Sequence, residues 1–343
     1  MPKSALSLIV PAALALTLAT PALAAPNVVA TIKPLHSLVA GVMDGVGEPD
    51  LLVEGAGSPH GYSMRPSDAA KLESAQIVFW IGEGMEVFLD GPLESLAADA
   101  TKIEMLEIGG LAIPELREGG LFQAHSHDEE APEDAHAEDD HDHDHAQDDH
   151  AHEDEHDHEE HDHEPEDAAH DHAHGDAHIW LDPQNARLMV AAIADALIAA
   201  DPENAEAYNA NGRALAERLS TLQADIAAQL ASVSDAPFFV FHDAYQVFEN
   251  RFGLSATGSF TVNPEIAPGA GRLTEIRDVV AQTGAVCIFA EPQFSPQVIE
   301  TVAQGTDARI GVLDPLGAQI PDGPDLYFTL LETMAQNLAD CLG

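Results

Sequence analysis

The chain of 343 residues carries 60 Asp or Glu against 13 Lys or Arg, a formal charge of −47 at neutral pH with His uncharged. So lopsided a charge argues against nucleic acid and anionic membrane surfaces as partners and favours cations. Residues 1–25 (MPKSALSLIVPAALALTLATPALAA) read as a secretory signal peptide: one Lys, an apolar run, then small residues with cleavage near Ala24 or Ala25. Pro11 and Pro21 interrupt the apolar run, which argues against a membrane anchor. No Cys precedes Cys287, so a thioether-linked lipid is not available. The expectation is a soluble exported protein, in a periplasm where the cell has two membranes.

Residues 26–124 read as a first α/β lobe. NVVATI (27–32) is a β-branched apolar run and predicts a strand; Pro34 then opens a helix running to Met43. A second strand over 50–53 leads into the Gly-rich loop GAGSPHGY, which holds His60. Pro66, Ser67 and Asp68 start a helix. IVFWI (77–81) is a continuous apolar run, as in a strand covered on both faces. A helix over 85–96 and a strand over 102–106 follow. Strands alternating with helices predict parallel pairing.

The stretch 125–177 has fifteen His and twenty-four Asp or Glu, no Lys or Arg, and almost no large apolar side chain. It cannot bury enough surface to offset the entropy of ordering, so it is predicted disordered. Imidazoles interleaved with carboxylates suit a borderline divalent cation such as zinc. His141, His143, His145, His150, His152, His156, His158, His161 and His163 are its densest part and the expected low-affinity metal ligands. Gathering zinc, sensing its excess and presenting it to a partner are three roles open to the run, of which gathering is favoured.

Residues 178–201 complete the first lobe, with a helix from Asp182-Pro183 to about Ala199. Asp201-Pro202 starts the next helix. Leu215, Leu219, Leu222, Ile226 and Leu230 repeat on one helical face, and the pattern predicts a single helix over 202–233. At 1.5 Å per residue it would be roughly 48 Å long, a rigid backbone crossing both lobes. Residues 234–343 form the second lobe. Strands are expected over 238–241, 254–260, 286–289 and 310–313, and helices over 243–251, 273–282, 296–304 and 327–342. In an oxidising compartment Cys287 and Cys341 are expected to pair.

Four His lie outside the run: His36, His60, His178 and His242. His60 follows a strand, His178 stands at the exit of the run, and His242 ends the strand FFVF. In open α/β sheets ligands bind beyond the C-terminal ends of strands, so a cleft between lobes can collect all three. Three neutral imidazoles would fill three corners of a zinc tetrahedron. Asp314, which ends RIGVLD, is a tentative fourth ligand; Glu291, which ends VCIFAE, and water are the alternatives. His36, at a helix start, is expected to be structural.

The segments SPHGYSMRPSDAAKLESAQIVFWIG, GDAHIWLDPQNAR, FFVFHDAYQVFENRFGL, FTVNPEIAPGAGRLTEI, VCIFAEPQFSP and GVLDPLG run in order along nearly the whole mature chain. Together they resemble the zinc-binding (ZnuA-type) component of bacterial ABC importers. The resemblance implies two lobes, each a parallel β-sheet flanked by helices, joined by one long rigid backbone helix. It carries the metal-ligand roles onto His60, His178 and His242, and matches Asp314 to the carboxylate ligand of the wider cluster. Some zinc members place Glu directly before the first ligand His; here that position is Pro59. The family's His-rich insertion and its disulfide match 125–177 and Cys287–Cys341. The implied function is high-affinity Zn2+ capture and delivery to a membrane permease, by a monomer that catalyses no reaction. Periplasmic metal chaperones are a further class of partner. The competing readings are a zinc buffer in which the run is the whole function, and a zinc-dependent hydrolase.

Overall fold

The computed structural model describes residues 25–117, 122, 175–261, 264–265 and 268–343. The first sheet is built from β1 (Val28–Ala30), β2 (Asp50–Leu51), β3 (Ile77–Trp80) and β4 (Thr101–Glu104). It is flanked by α1 (Lys33–Val42), α2 (Pro66–Ser74) and α3 (Asp90–Ser95). Two long helices follow, α4 (Pro183–Ala200) and α5 (Ala205–Leu230). The second sheet comprises β5 (Phe238–His242), β6 (Gly258–Thr261), β7 (Cys287–Ala290) and β8 (Arg309–Val312), with α6 (Gln246–Phe252), α7 (Ala270–Thr283), α8 (Gln297–Ala303) and α9 (Leu326–Leu342) around it. Both sheets are wholly parallel and wound alike, in the orders β2-β1-β3-β4 and β6-β5-β7-β8. The α/β lobe expected from the strand–helix alternation is therefore present twice.

Several expected elements differ in detail: the strand anticipated over 254–260 is only Gly258–Thr261, and that over 50–53 only Asp50–Leu51. The helix anticipated over 85–96 is a 3-10 turn, Val87–Leu89, followed by the short α3. Pro92 has no N–H to give to a continuing helix, so a new one starts with the proline in its first turn. The helix anticipated from Asp243 begins at Gln246, because residues 243–245 turn and the Asp243 carboxylate is taken by Arg117. The long helix opens with a 3-10 turn, Pro202–Asn204, and its α-helical part spans 26 residues, about 39 Å rather than 48 Å.

The inward line of α5 is Tyr208, Gly212, Leu215, Leu219, Leu222, Ile226 and Leu230, all buried. It packs against α1, α4 and α9, so one apolar core runs from Val28 and Ala30 of β1 through α5 to Phe238 and Val240 of β5. Behind the cleft the lobes share a core, which is what makes the long helix a rigid spine. No helix among the described residues is long and apolar enough to cross a membrane.

Cys287 at the start of β7 and Cys341 in α9 are disulfide-bonded, their Cα atoms 6.1 Å apart across a sequence separation of 54. Changing both to Ser is expected to lower stability by about 4 kcal/mol through the longer-ranging unfolded chain. Urea unfolding of the oxidised protein against the double variant measures it.

Glu86 is completely buried at the end of β3. Its carboxyl accepts bonds from the Thr31 hydroxyl and from the backbone N–H groups of Ile81 and Gly82. Burial nevertheless pushes its pKa up to about 7. A raised carboxyl pKa favours the fold fully below the unfolded value of about 4.3 and less as pH rises through 7. Glu86→Gln is therefore expected to gain stability relative to wild type between about pH 4.3 and 7, followed by melting temperature against pH.

Candidate metal centre

His60 sits in a 3-10 turn, Pro59–Gly61, in the loop after β2. His178 precedes a second such turn, Ile179–Leu181, whose three side chains are buried. Trp180 in that turn donates its indole N–H to the Pro315 carbonyl at 2.8 Å, and its own carbonyl accepts from Tyr327 Oη at 2.6 Å. The backbone beside His178 is thus bolted to the second lobe. His242 is the last residue of β5.

The three imidazoles converge, with one ring nitrogen from each within 4.8 Å of the others. His178 Nε2 lies 3.3 Å from His60 Nε2 and 3.3 Å from His242 Nε2. Nitrogens at about 2.0–2.1 Å from a tetrahedral zinc stand about 3.3 Å apart, so the spacing is that of two tetrahedron edges.

The far side of two rings is fixed by carboxylates. His178 Nδ1 meets Asp176 Oδ1 at 2.7 Å, and His242 Nδ1 meets Glu291 Oε1 at 2.6 Å. Asp176 and Glu291 are buried at 1% and 4% exposure. A neutral ring that donates its Nδ1–H to a carboxylate presents an Nε2 lone pair, the form in which imidazole ligates a metal. At His60, burial and the neighbouring His178 and His242 hold the pKa well below the usual histidine value, which keeps that ring neutral. The cavity around the rings is walled by Trp180, Phe294, Pro315 and Leu316.

Asp314 is not brought to this cluster. Its Oδ1 accepts from Gln293 Nε2 and the N–H groups of Leu316 and Gly317, and its Oδ2 accepts from Ala318 N–H, at 2.7–3.0 Å. Those bonds hold the carboxylate against its own loop, and it is not among the side chains whose ligand atoms converge. Glu291 does reach the cavity, through the back of His242 rather than beside it. His36 stands apart, its Nε2 3.0 Å from the Pro49 carbonyl and its pKa lowered by burial. His141, His143, His145, His150, His152, His156, His158, His161 and His163 lie outside the described residues.

Sequence reasoning overlooked Asp176, hidden among the acids of the run although it precedes His178 by two positions. It also overlooked Arg117, which bridges Asp243 and Glu249, and Arg251, which pairs with Asp182. One signal for Arg117 was available: it is the last base before Arg187.

Comparison with known proteins agrees with the geometry. A family described as "Zinc-uptake complex component A periplasmic" matches residues 28–341. The chain is 51% identical over 316 residues to the high-affinity zinc uptake system protein ZnuA of Brucella abortus (strain 2308), covering 92% of this chain and 91% of that one. It is 40% identical over 338 residues to the protein of the same name from Yersinia pestis, covering 96% and 95%. A crystal structure of ZnuA superposes with a TM-score of 0.70 at 23% identity, over 93% of this chain and all of that one. A match that spans both lobes and takes in all three converging histidines places the chain in the zinc-uptake complex component A family of periplasmic proteins.

Proposed function

We propose that this protein captures Zn2+ in the periplasm between its two lobes, with His60, His178 and His242 as ligands, and delivers it to the membrane permease of an ABC importer. The observation that carries the reading is the convergence of three imidazole nitrogens, His178 Nε2 lying 3.3 Å from those of His60 and His242, while carboxylates hold the far nitrogens of His178 and His242. Three neutral nitrogens favour zinc over manganese, a harder ion that prefers more oxygen. The names of its relatives, high-affinity zinc uptake system proteins, agree with this cargo. Water takes the fourth corner, since Asp314 is not among the side chains whose ligand atoms converge. The carboxylates behind His178 and His242 raise ligand basicity and fix the rings. Histidine-rich residues 125–177 gather zinc for this site.

A competitive zinc titration tests the assignment, using protein lacking residues 125–174 beside the same protein with His60, His178 and His242 changed to Ala. One tight equivalent is expected, lost in the triple variant. No tight equivalent in the shortened protein would make the histidine-rich run the zinc site and the molecule a buffer.

A further inference from the structure

We propose that Arg117 is a positioning residue that sets the spacing between His178 and His242 across the two lobes, an inference that rests on their assignment as zinc ligands. After β4 the chain runs as a strap along the first lobe. Asn185 of α4 holds the strap at Ala112, accepting from its N–H at 2.8 Å and donating to its carbonyl at 3.0 Å. Pro114 then accepts from Asp176 N–H at 2.9 Å, and Glu115 pairs antiparallel with Gly175. A Cβ at Gly175 would stand 2.3 Å from Ile113 Cγ2, so glycine is what lets the segments lie this close. Asp176 in turn accepts from the backbone N–H of His178 at 3.0 Å and from its ring. On this side the strap fixes Asp176, and Asp176 fixes His178.

Arg117 carries the strap to the other lobe. Its Nε lies 3.1 Å from each oxygen of Asp243, and Nη2 also binds Oδ1. Its Nη1 donates to Glu249 Oε2 at 2.7 Å and Nη2 to Glu249 Oε1 at 3.1 Å. Asp243 directly follows His242, and Glu249 lies on α6, where it also accepts from Ala256 N–H. Both carboxylates are buried, at 9% and 2% exposure. The same helix reaches back: Arg251 binds both oxygens of Asp182 at 2.7 Å, four residues after His178. His178 is thus stapled to α6 on either side, and the Arg117 staple joins the two places where ligand rings are held. A planar guanidinium forked onto two carboxylates fixes distance and direction together, which an ammonium on a flexible stem does not.

The test uses the full mature chain and reads two quantities: the rate of zinc release from the tight site into excess EDTA, and the urea midpoint of the zinc-free protein. Arg117→Gln is expected to speed release about 10-fold, the effect usual for a group that orients a metal ligand, with Arg117→Lys in between. Because Arg117→Gln strands two buried carboxylates, a charge-balanced variant, Arg117→Met with Asp243→Asn and Glu249→Gln, accompanies it. That variant is expected to recover the urea midpoint and still release zinc quickly. Wild-type release in Arg117→Gln, or wild-type release returning with the midpoint in the balanced variant, overturns the inference. A wild-type protein with no slow release that the three His→Ala changes remove overturns the ligand assignment, and this inference with it.

Discussion

His242→Ala is expected to weaken zinc binding in the cleft by at least 100-fold, the upper end of what losing an outer-shell partner costs. The ring it removes is 3% exposed, ends β5 and is aimed by Glu291. Glu291→Gln should lie lower, about 10-fold, because the imidazole stays but its charge-assisted bond is lost. Asp314→Ala should change affinity less than threefold while costing about 1–3 kcal/mol of stability, since its donors from 293 and 316–318 lose their acceptor. Competitive titration and urea unfolding on the three variants give the two rankings. A loss at Asp314 comparable to that at His242 would place this carboxylate on the metal.

Trp180→Ala is expected to destabilise the zinc-free protein by about 3–5 kcal/mol, the usual range for a fully buried large aromatic. The indole fills the space between the His178 turn and the second lobe, its ring 5.3 Å from that of His178. Trp180→Phe keeps most of the packing but leaves the Pro315 carbonyl without its donor, a loss of about 1–3 kcal/mol. Urea unfolding separates the two costs. Because the core is continuous from β1 to β5, both variants should still unfold in one transition rather than lobe by lobe. Two separated transitions would mean that the shared core does not couple the lobes.

Much of this was legible in residue patterns. Uninterrupted runs such as IVFW and FFVF read as strands covered on both faces, and they are interior strands of their sheets. Of the histidines that converge, His60 follows a strand and His242 ends one, which is where a parallel sheet presents its loops, whereas His178 stands before the 3-10 turn Ile179–Leu181. Asp314 follows the last strand by two residues, and the Pro-Leu-Gly after it was a cue that its carboxylate would cap a turn. Glu291 was legible as a residue of the site, but its place behind His242 depends on how β5 and β7 pair, at a separation of 49 residues. Arg117 joins partners 126 and 132 positions away, and only the docking of one lobe on the other brings them together.

The bridge between Glu115 and Gly175 has a further consequence for how the molecule tolerates change. The two flanks of the histidine-rich segment lie side by side at this neck, and Arg117 just beyond it is anchored to the second lobe. The segment's length is therefore nearly independent of everything built around the neck. Doubling such a connection adds only about 0.6 kcal/mol to the cost of closing it. Repeats of His and Asp can be gained or lost between these flanks at little cost to either sheet.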